Sequence, residues 1–303
     1  MKFSICTATF NRAHTLDRVY ASLLAQAEKS FEWIIIDDGS TDGTDQMIEQ
    51  WKAKAPFPII YKFQENQGKH VAINRGATIA KGEFFIIADS DDSFGGEALK
   101  IFLEEWNNIP QAQRPAFTGI TGLCVQHDGE VVGDRFPKDV FDSNSAELFY
   151  LHGIRGEKWG FHRTEIIREY PFPEMSGVPF FRESIIWFAI AKRYQTRFIN
   201  KPVRIYNQDA SEQLTKLPIK KRAFENVFYA MSLNDDHNYM HLAPWTFVKM
   251  SLQGARLSFH QSVPISEQFS RLKWSKAKVL WAIALLPGMV LYLFDRMTVL
   301  RRG

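Results

Sequence analysis

The chain has 303 residues, 45% hydrophobic and 23% charged, an ordinary globular composition that excludes a low-complexity or disordered protein. A formal net charge of +3 is too small to mark a nucleic-acid binder, and no nucleic-acid partner is expected. Cys6 and Cys124 sit inside apolar strand-like segments and read as reduced core residues; with an N-terminus that opens directly as a strand rather than as a signal peptide, they point to the cytoplasm.

Residues 3–9 form an apolar run followed by the turn Asn11-Arg12-Ala13-His14; from Thr15 the period becomes helical, with Leu16, Val19, Tyr20, Leu23 and Leu24 on one face. A second run, 32–37, ends in Asp37-Asp38-Gly39-Ser40-Thr41-Asp42-Gly43-Thr44, rich in turn and N-cap residues, before a helix marked by Met47, Ile48 and Trp51. The third strand, 59–63, passes through Glu65-Asn66-Gln67-Gly68-Lys69-His70 into a helix over 71–80 that Lys81-Gly82 closes. The fourth strand is the unbroken run Phe84 to Ala88, and its tip carries three acids in four positions, Asp89-Ser90-Asp91-Asp92. A helix over 96–106 follows, with Leu99, Phe102, Leu103 and Trp106 on its apolar face.

Four such units predict a mostly parallel sheet covered by helices on both faces. Ligands bind such sheets outside the carboxyl ends of the strands, so loops 9–12, 37–41, 66–70 and 89–92 are expected to converge. A strand tip bearing clustered carboxylates suits a divalent cation beside a phosphate-bearing substrate; the plain alternative is a solvated acidic turn. The chain has neither a Gly-x-Gly-x-x-Gly nor a phosphate-loop Gly-Lys-Ser/Thr pattern, which speaks against dinucleotide enzymes and P-loop ATPases.

Thr7-Ala8-Thr9-Phe10-Asn11-Arg12, Ile36-Asp37-Asp38-Gly39-Ser40-Thr41-Asp42, Asn66-Gln67-Gly68, Asn74-Arg75-Gly76, Gly82-Glu83-Phe84 and Ala88-Asp89-Ser90-Asp91-Asp92 occur in this order. In that ordered set the chain closely resembles family 2 glycosyltransferases over residues 1–210. The resemblance implies an α/β GT-A (Rossmann-like) fold, with a mostly parallel central sheet flanked by helices. It further implies a nucleotide-sugar-binding and catalytic domain over 1–215 and a helical C-terminal extension over 216–303.

It also implies transfer of a sugar, with inversion, from a nucleotide-diphosphate donor. Thr9 and Arg12 would line the base and ribose pocket, and Asp38 would accept from uracil N3, favouring a UDP-sugar, while Asp37 braces the loop. Asn66, Asn74 and Ser90 fall in the same donor-binding set, and Asp89 lies near the ribose. Asp91 would bind Mg²⁺ or Mn²⁺, with Asp92 as alternative or supporting ligand, because hard oxygen donors and phosphates favour those ions. Lys69 and Arg75 would add positive charge near the phosphates; a solvated loop residue and a helix-surface residue are the plain alternatives.

The segment 116–136 reads as an antiparallel hairpin turning at His127-Asp128-Gly129. The family's base is an acid at the start of a later helix, often within Glu-Asp; here the pair is Glu183-Ser184, in a helix over 182–191. Glu183 is the candidate base and Glu157 the runner-up, while a structural first-turn role competes for Glu183. Trp159 and Trp187 offer stacking surfaces for a sugar, although core packing is the ordinary use of such residues. His162 and His237 are unsupported as metal ligands, and 207–214 is a polar segment at the place where relatives fold a strap over the donor.

Helices are expected over 222–233 and 244–260. From Arg271 basic residues lead into Val279 to Phe294, sixteen residues without a charge but interrupted by Pro287-Gly288, short of a membrane span. Basic flanks with Trp274, Trp281 and Tyr292 fit a helix docking on an anionic inner leaflet, a peripheral position that suits a glycan or lipid-linked acceptor in surface-polysaccharide assembly. A buried helical hairpin or a dimer contact is the alternative. Two rival functions remain: a donor-binding subunit that lost its base, which Ser184 keeps open, and a sugar-1-phosphate nucleotidyltransferase, whose Gly-rich loop residues 9–14 lack.

Overall fold

A computed structural model describes residues 1–175, 178, 180–207, 219 and 223–300. The chain divides into two compact units, Met1–Glu174 with Ile186–Ser211 and Met175–Ile185 with Glu212–Gly303. The expected polar segment beyond Asn207 and the basic end at Arg301-Arg302 lie outside the described residues.

The first unit opens with β1 (Phe3–Thr9), α1 (Ala13–Leu24), β2 (Phe31–Asp37), α2 (Thr44–Lys52), β3 (Ile59–Phe63), α3 (Lys69–Ile79) and β4 (Phe84–Ile87). It continues with β5 (Ser93–Phe94), α4 (Ala98–Asn107), β6 (Phe117–Val125), β7 (Val140–Ser143), α5 (Ser145–Tyr150), β8 (Lys158–Arg163), α6 (Thr164–Glu169), α7 (Ser184–Ala191, which begins in the second unit) and β9 (Gln195–Ile205). Among the described residues these strands form one sheet in the order β3-β2-β1-β4-β8-β6-β9-β5, with β7 on β9. The first four run parallel, with Phe3 opposite Phe31 and Phe84, so their carboxyl ends share one edge, as expected of a GT-A sheet. Every residue of β2 is buried, which is why it reads as a continuous apolar run. Phe3, Phe84 and Phe161 knit the sheet's centre through ring contacts, Phe84 and Phe161 lying 4.4 Å apart.

The expected hairpin forms only at its turn. Gln126 N donates to Glu130 O (2.8 Å) and Val132 N to Cys124 O (2.9 Å), and one bridge joins Val125 to Val131. The chain then leaves the sheet at Gly133, whose φ of +79° and contact with the backbone of Arg155 and Gly156 a side chain would not permit. The reason is non-local: β8 lies antiparallel on one side of β6 and β9 parallel on the other, leaving no edge for 130–136.

The second unit contains α8 (Asn226–Asp235), α9 (Pro244–His260), α10 (Ile265–Ser270) and α11 (Ser275–Leu300). Pro287-Gly288 does not interrupt α11, which runs unbroken for 26 residues, and its stretch Ser275–Thr298 is long and apolar enough to cross a membrane by length and composition. Gly288 is where α11 meets Ala255 of α9, and Gly254 accepts the Trp281 ring. Trp281 is therefore not an interfacial residue: it is 1% exposed and donates from Nε1 to Gln268 Oε1 at 3.0 Å. At the far end Asp295 pairs with Arg256 and with His260 (2.9 Å).

Candidate active site

The site is built on the shared edge of the parallel strands. The first element is the loop after β2. Asp38 N donates to Thr9 O at 2.8 Å, fastening this loop to the end of β1. The Asp38 carboxylate, buried, accepts from Gln64 Nε2 (2.7 Å), Gln67 N (2.8 Å) and Gly68 N (2.8 Å), holding the loop before α3 in place. These three donors take three of the about four acceptor positions of a carboxylate among the described residues. Asp37 also braces the edge, accepting from Ser40 N (2.8 Å) and Tyr61 Oη (2.9 Å). Asp42 ties α1 to α2: it accepts from Ala13 N (2.9 Å) and Thr44 Oγ1 (2.6 Å).

The second element is the acidic turn between β4 and β5. Asp92 N donates to Asp89 O (3.1 Å), and Asp89 N donates back to Asp92 Oδ2 (2.9 Å), closing a compact loop. Asp92 is 2% exposed, and its Oδ1 is paired with Arg204 of β9 at 2.7 Å. Asn207 Nδ2 donates to Asp91 O (2.8 Å) and Ser93 Oγ (3.2 Å), while Asn207 Oδ1 meets His127 Nε2 (2.8 Å). The turn is thus anchored from below by Arg204 and from its side by Asn207. Asp91 and Ser90 stay half-exposed at the tip.

The electrostatics divide the three acids. Burial pushes the Asp89 carboxyl up, but Lys69, paired with it at 2.5 Å, together with Arg204 and Arg12, holds it below the ordinary value. Burial and the neighbouring Asp89 charge raise the Asp91 carboxyl. Burial raises Asp92 well above the usual range, with Arg204 pulling against it and Asp89 adding to it. Arginine does not give up its proton in a protein, so Asp92 serves as its counter-charge.

The residue set suits a hard divalent cation. One oxygen each from Asp89, Asp91 and Asp92 lies within 4.8 Å of the others. Both Asp92 oxygens are already engaged, by Arg204 and Asp89 N, while Asp91 and Asp89 are half-exposed, Asp89 with Lys69 beside it. Thr9, at the end of β1, adds a buried hydroxyl that has no hydrogen-bond partner among the described residues.

The sequence-derived residues therefore fall into four groups. Thr9, Arg12, Asp38, Lys69, Asp89, Asp91 and Asp92 come together at this edge, Arg12 and Lys69 through their charges on the acidic turn. Asn66 is exposed in the loop that Asp38 holds, and its backbone packs against Gly39. Arg75 and Asn74 turn to structural neighbours: Arg75 Nη1 donates to Phe63 O (3.2 Å), and the Asn74 amide bonds Phe172 N and O and Glu174 Oε1 at 2.8–2.9 Å. Glu183 belongs to the second unit, half-buried and one residue before α7 rather than within its first turn; Glu157 is exposed.

Trp159 is a core residue, stacked on Phe94 at 4.4 Å and donating from Nε1 to Ile87 O (2.8 Å); Trp187 stacks on His162 at 4.2 Å. His162 meets Thr118 Oγ1 (2.9 Å), and burial pushes its imidazole down to about 3; His237 bonds Asn234 O (2.8 Å). The sequence reading missed Arg204. Its signal was present: an arginine flanked by the apolar Val203 and Ile205 at the end of a strand, where a buried guanidinium calls for a carboxylate.

A family model for glycosyl transferase family 2 matches residues 4–168, the span that carries every loop of this edge. The chain belongs to glycosyl transferase family 2. An uncharacterized glycosyltransferase of Nostoc is 30% identical over 187 residues, 60% of this chain and 52% of that protein, so the chain spans about half the length of this relative. A putative teichuronic acid biosynthesis glycosyltransferase of Bacillus subtilis is 33% identical over 197 residues, covering 64% of this chain and 74% of its own. Among solved structures, S. aureus TarS 1-349 in complex with UDP-GlcNAc superposes with a TM-score of 0.61 at 19% identity over 94% of this chain and 80% of that one, a likeness that speaks for the GT-A fold of this family 2 member.

Proposed function

We propose that the chain is a metal-dependent, inverting glycosyltransferase that moves a sugar from a UDP-sugar to a hydroxyl of a glycan or lipid-linked acceptor in cell-surface polysaccharide biosynthesis. The observation that carries the reading is the acidic turn at the carboxyl end of β4, with Asp91 half-exposed and Asp92 locked on Arg204. The Bacillus relative, named for teichuronic acid biosynthesis, and the S. aureus neighbour, titled as a UDP-GlcNAc complex, support the polysaccharide and the uridine donor.

In this reading Asp91 would hold Mg²⁺ or Mn²⁺, with Asp92 behind it as support and Asp89 near the ribose; the ion, when bound, would neutralise charge on the departing diphosphate. Asp38 offers its remaining acceptor position to uracil N3–H, and Thr9 and Arg12 line the base and ribose. Lys69 keeps positive charge at the phosphate side. Glu183 takes the proton of the acceptor hydroxyl as its oxygen bonds the anomeric carbon and the bond from that carbon to the β-phosphate oxygen breaks on the opposite face. One displacement of this kind inverts the anomeric centre. Arg75 and Asn74 act as structural residues. The protein works in the cytoplasm, peripherally on the inner face of the plasma membrane.

A screen of UDP- and GDP-sugars by calorimetry and turnover, with wild type and Glu183→Gln, tests this. Metal-dependent binding of a uridine donor by both proteins is expected, with transfer lost in Glu183→Gln. Binding of guanosine donors alone would remove the role given to Asp38, and full transfer by Glu183→Gln would remove that given to Glu183.

A further inference from the structure

The two sides of α11 differ. Ala277, Trp281, Ala284 and Gly288 recur at three- and four-residue spacing and are buried, with Trp281 on Gly254 and Gly288 on Ala255 of α9. Half a turn away Val279, Ile283, Leu286, Val290, Leu293 and Met297 recur at the same spacing and are exposed, Ile283 and Leu286 each at 67%. The exposed stripe follows the helix for most of its length. Lys273, Lys276 and Lys278 are exposed at its start and Arg296 near its end. The acid of this helix, Asp295, is already held by Arg256 and His260.

We infer that this stripe is a docking face for an anionic lipid surface, with α11 lying in the plane of the headgroup–acyl boundary rather than crossing the bilayer. An apolar ladder flanked by lysine and arginine is complementary to acidic headgroups above acyl chains. Crossing is disfavoured although α11 is long enough, at about 1.5 Å per residue, to span. The buried side of α11 is bound to α9, so insertion would carry the Arg256–Asp295–His260 cluster into the bilayer. Docking in the plane leaves that cluster on the protein side. The use of the face, delivery of the enzyme to a lipid-linked acceptor, rests on the functional reading above; the docking itself does not.

The test is flotation of the full chain with vesicles, without donor or acceptor, so that its result is separate from any result on turnover. Wild type is expected to float with vesicles of phosphatidylcholine and phosphatidylglycerol and to stay behind with phosphatidylcholine alone. Ile283→Glu with Val290→Glu, at exposed positions, is expected to lower partitioning tenfold or more, and Lys276→Glu with Lys278→Glu by about fivefold per residue. Leu286→Ser, a milder change, is expected to weaken flotation in the same direction, and it decides the matter should the double glutamate variant melt early. Fluorophores on single cysteines placed at 279 and 297, feasible because Cys6 and Cys124 are buried, should report the same shallow depth. Equal flotation of wild type and variants, no flotation, labels on opposite faces of the vesicle, or a dimer in light scattering that Leu286→Ser dissolves while no vesicle is bound would each overturn the proposal.

Discussion

Removing the Arg204 side chain tests whether Asp92 is a support rather than a working ligand. In Arg204→Met the chain keeps a hydrophobic stem of similar length, but the buried Asp92 carboxylate loses its ion pair at 2.7 Å and keeps only the Asp89 amide. Leaving one partner of a buried pair uncompensated costs about 3–5 kcal/mol. Both side chains are under a tenth exposed, so water does little to screen the loss. Urea unfolding followed by tryptophan fluorescence measures it. Adding Asp92→Asn removes the stranded charge while its amide oxygen still accepts from Asp89 N, so the double variant should recover most of the deficit. The pH dependence has a fixed sign. The unpaired carboxyl titrates higher in the folded chain than in the unfolded one, so the deficit is full above the folded value and fades as pH falls toward the ordinary carboxylate range. A loss under about 1 kcal/mol, in the range of a surface pair, or no recovery in the double variant would refute the reasoning.

Three further outcomes follow from the same contacts. Asp38→Ala strands the amides of Gln67 and Gly68 and the Gln64 side chain, and should cost about 2–3 kcal/mol in urea unfolding, together with loss of uridine-donor binding by calorimetry. Trp281→Ala empties the space between α9 and α11 and should destabilise the protein by about 3–5 kcal/mol, read as a fall in melting temperature. His162, held down to about 3 by burial, is neutral in the folded chain while the unfolded chain protonates near 6.5; its contribution is full above that value and declines as pH falls toward 3, by up to about 1.4 kcal/mol per pH unit. His162→Gln should flatten the stability profile between pH 6 and 4 by about one proton's slope; an unchanged profile would show that His162 is already protonated.

Much of the first unit was legible because its signals are local. The parallel strands bury both faces and read as apolar runs, and the loops that follow them carry the acids and turn residues of the edge. What escaped depends on partners far along the chain. Asp91 and Asp92 are alternatives in the motif; their settings differ because Arg204 and Asp89 N engage both oxygens of Asp92. The hairpin after Val125 has good strand residues, but β8 and β9 take both sides of β6 first. In α11 every residue from 279 to 294 is uncharged, so polarity does not distinguish its faces, and size does not either: Trp281 packs on the same side as Ala277, Ala284 and Gly288, while Ala282 is exposed. Pro287 misled because a helix forgoes one hydrogen bond there and stays whole when a neighbouring helix supports it.

The most direct test of the functional claim is donor turnover by wild type and Asp91→Ala, assayed with a uridine-diphosphate sugar while Mn²⁺ or Mg²⁺ is titrated after chelation. We expect wild-type turnover to vanish in chelator and return with the metal, and Asp91→Ala to fold normally while losing at least a hundredfold in rate at every metal concentration. Wild-type turnover that persists in chelator, or an Asp91→Ala variant with full activity, would contradict the assignment of Asp91 to the metal and of the acidic turn to the donor diphosphate.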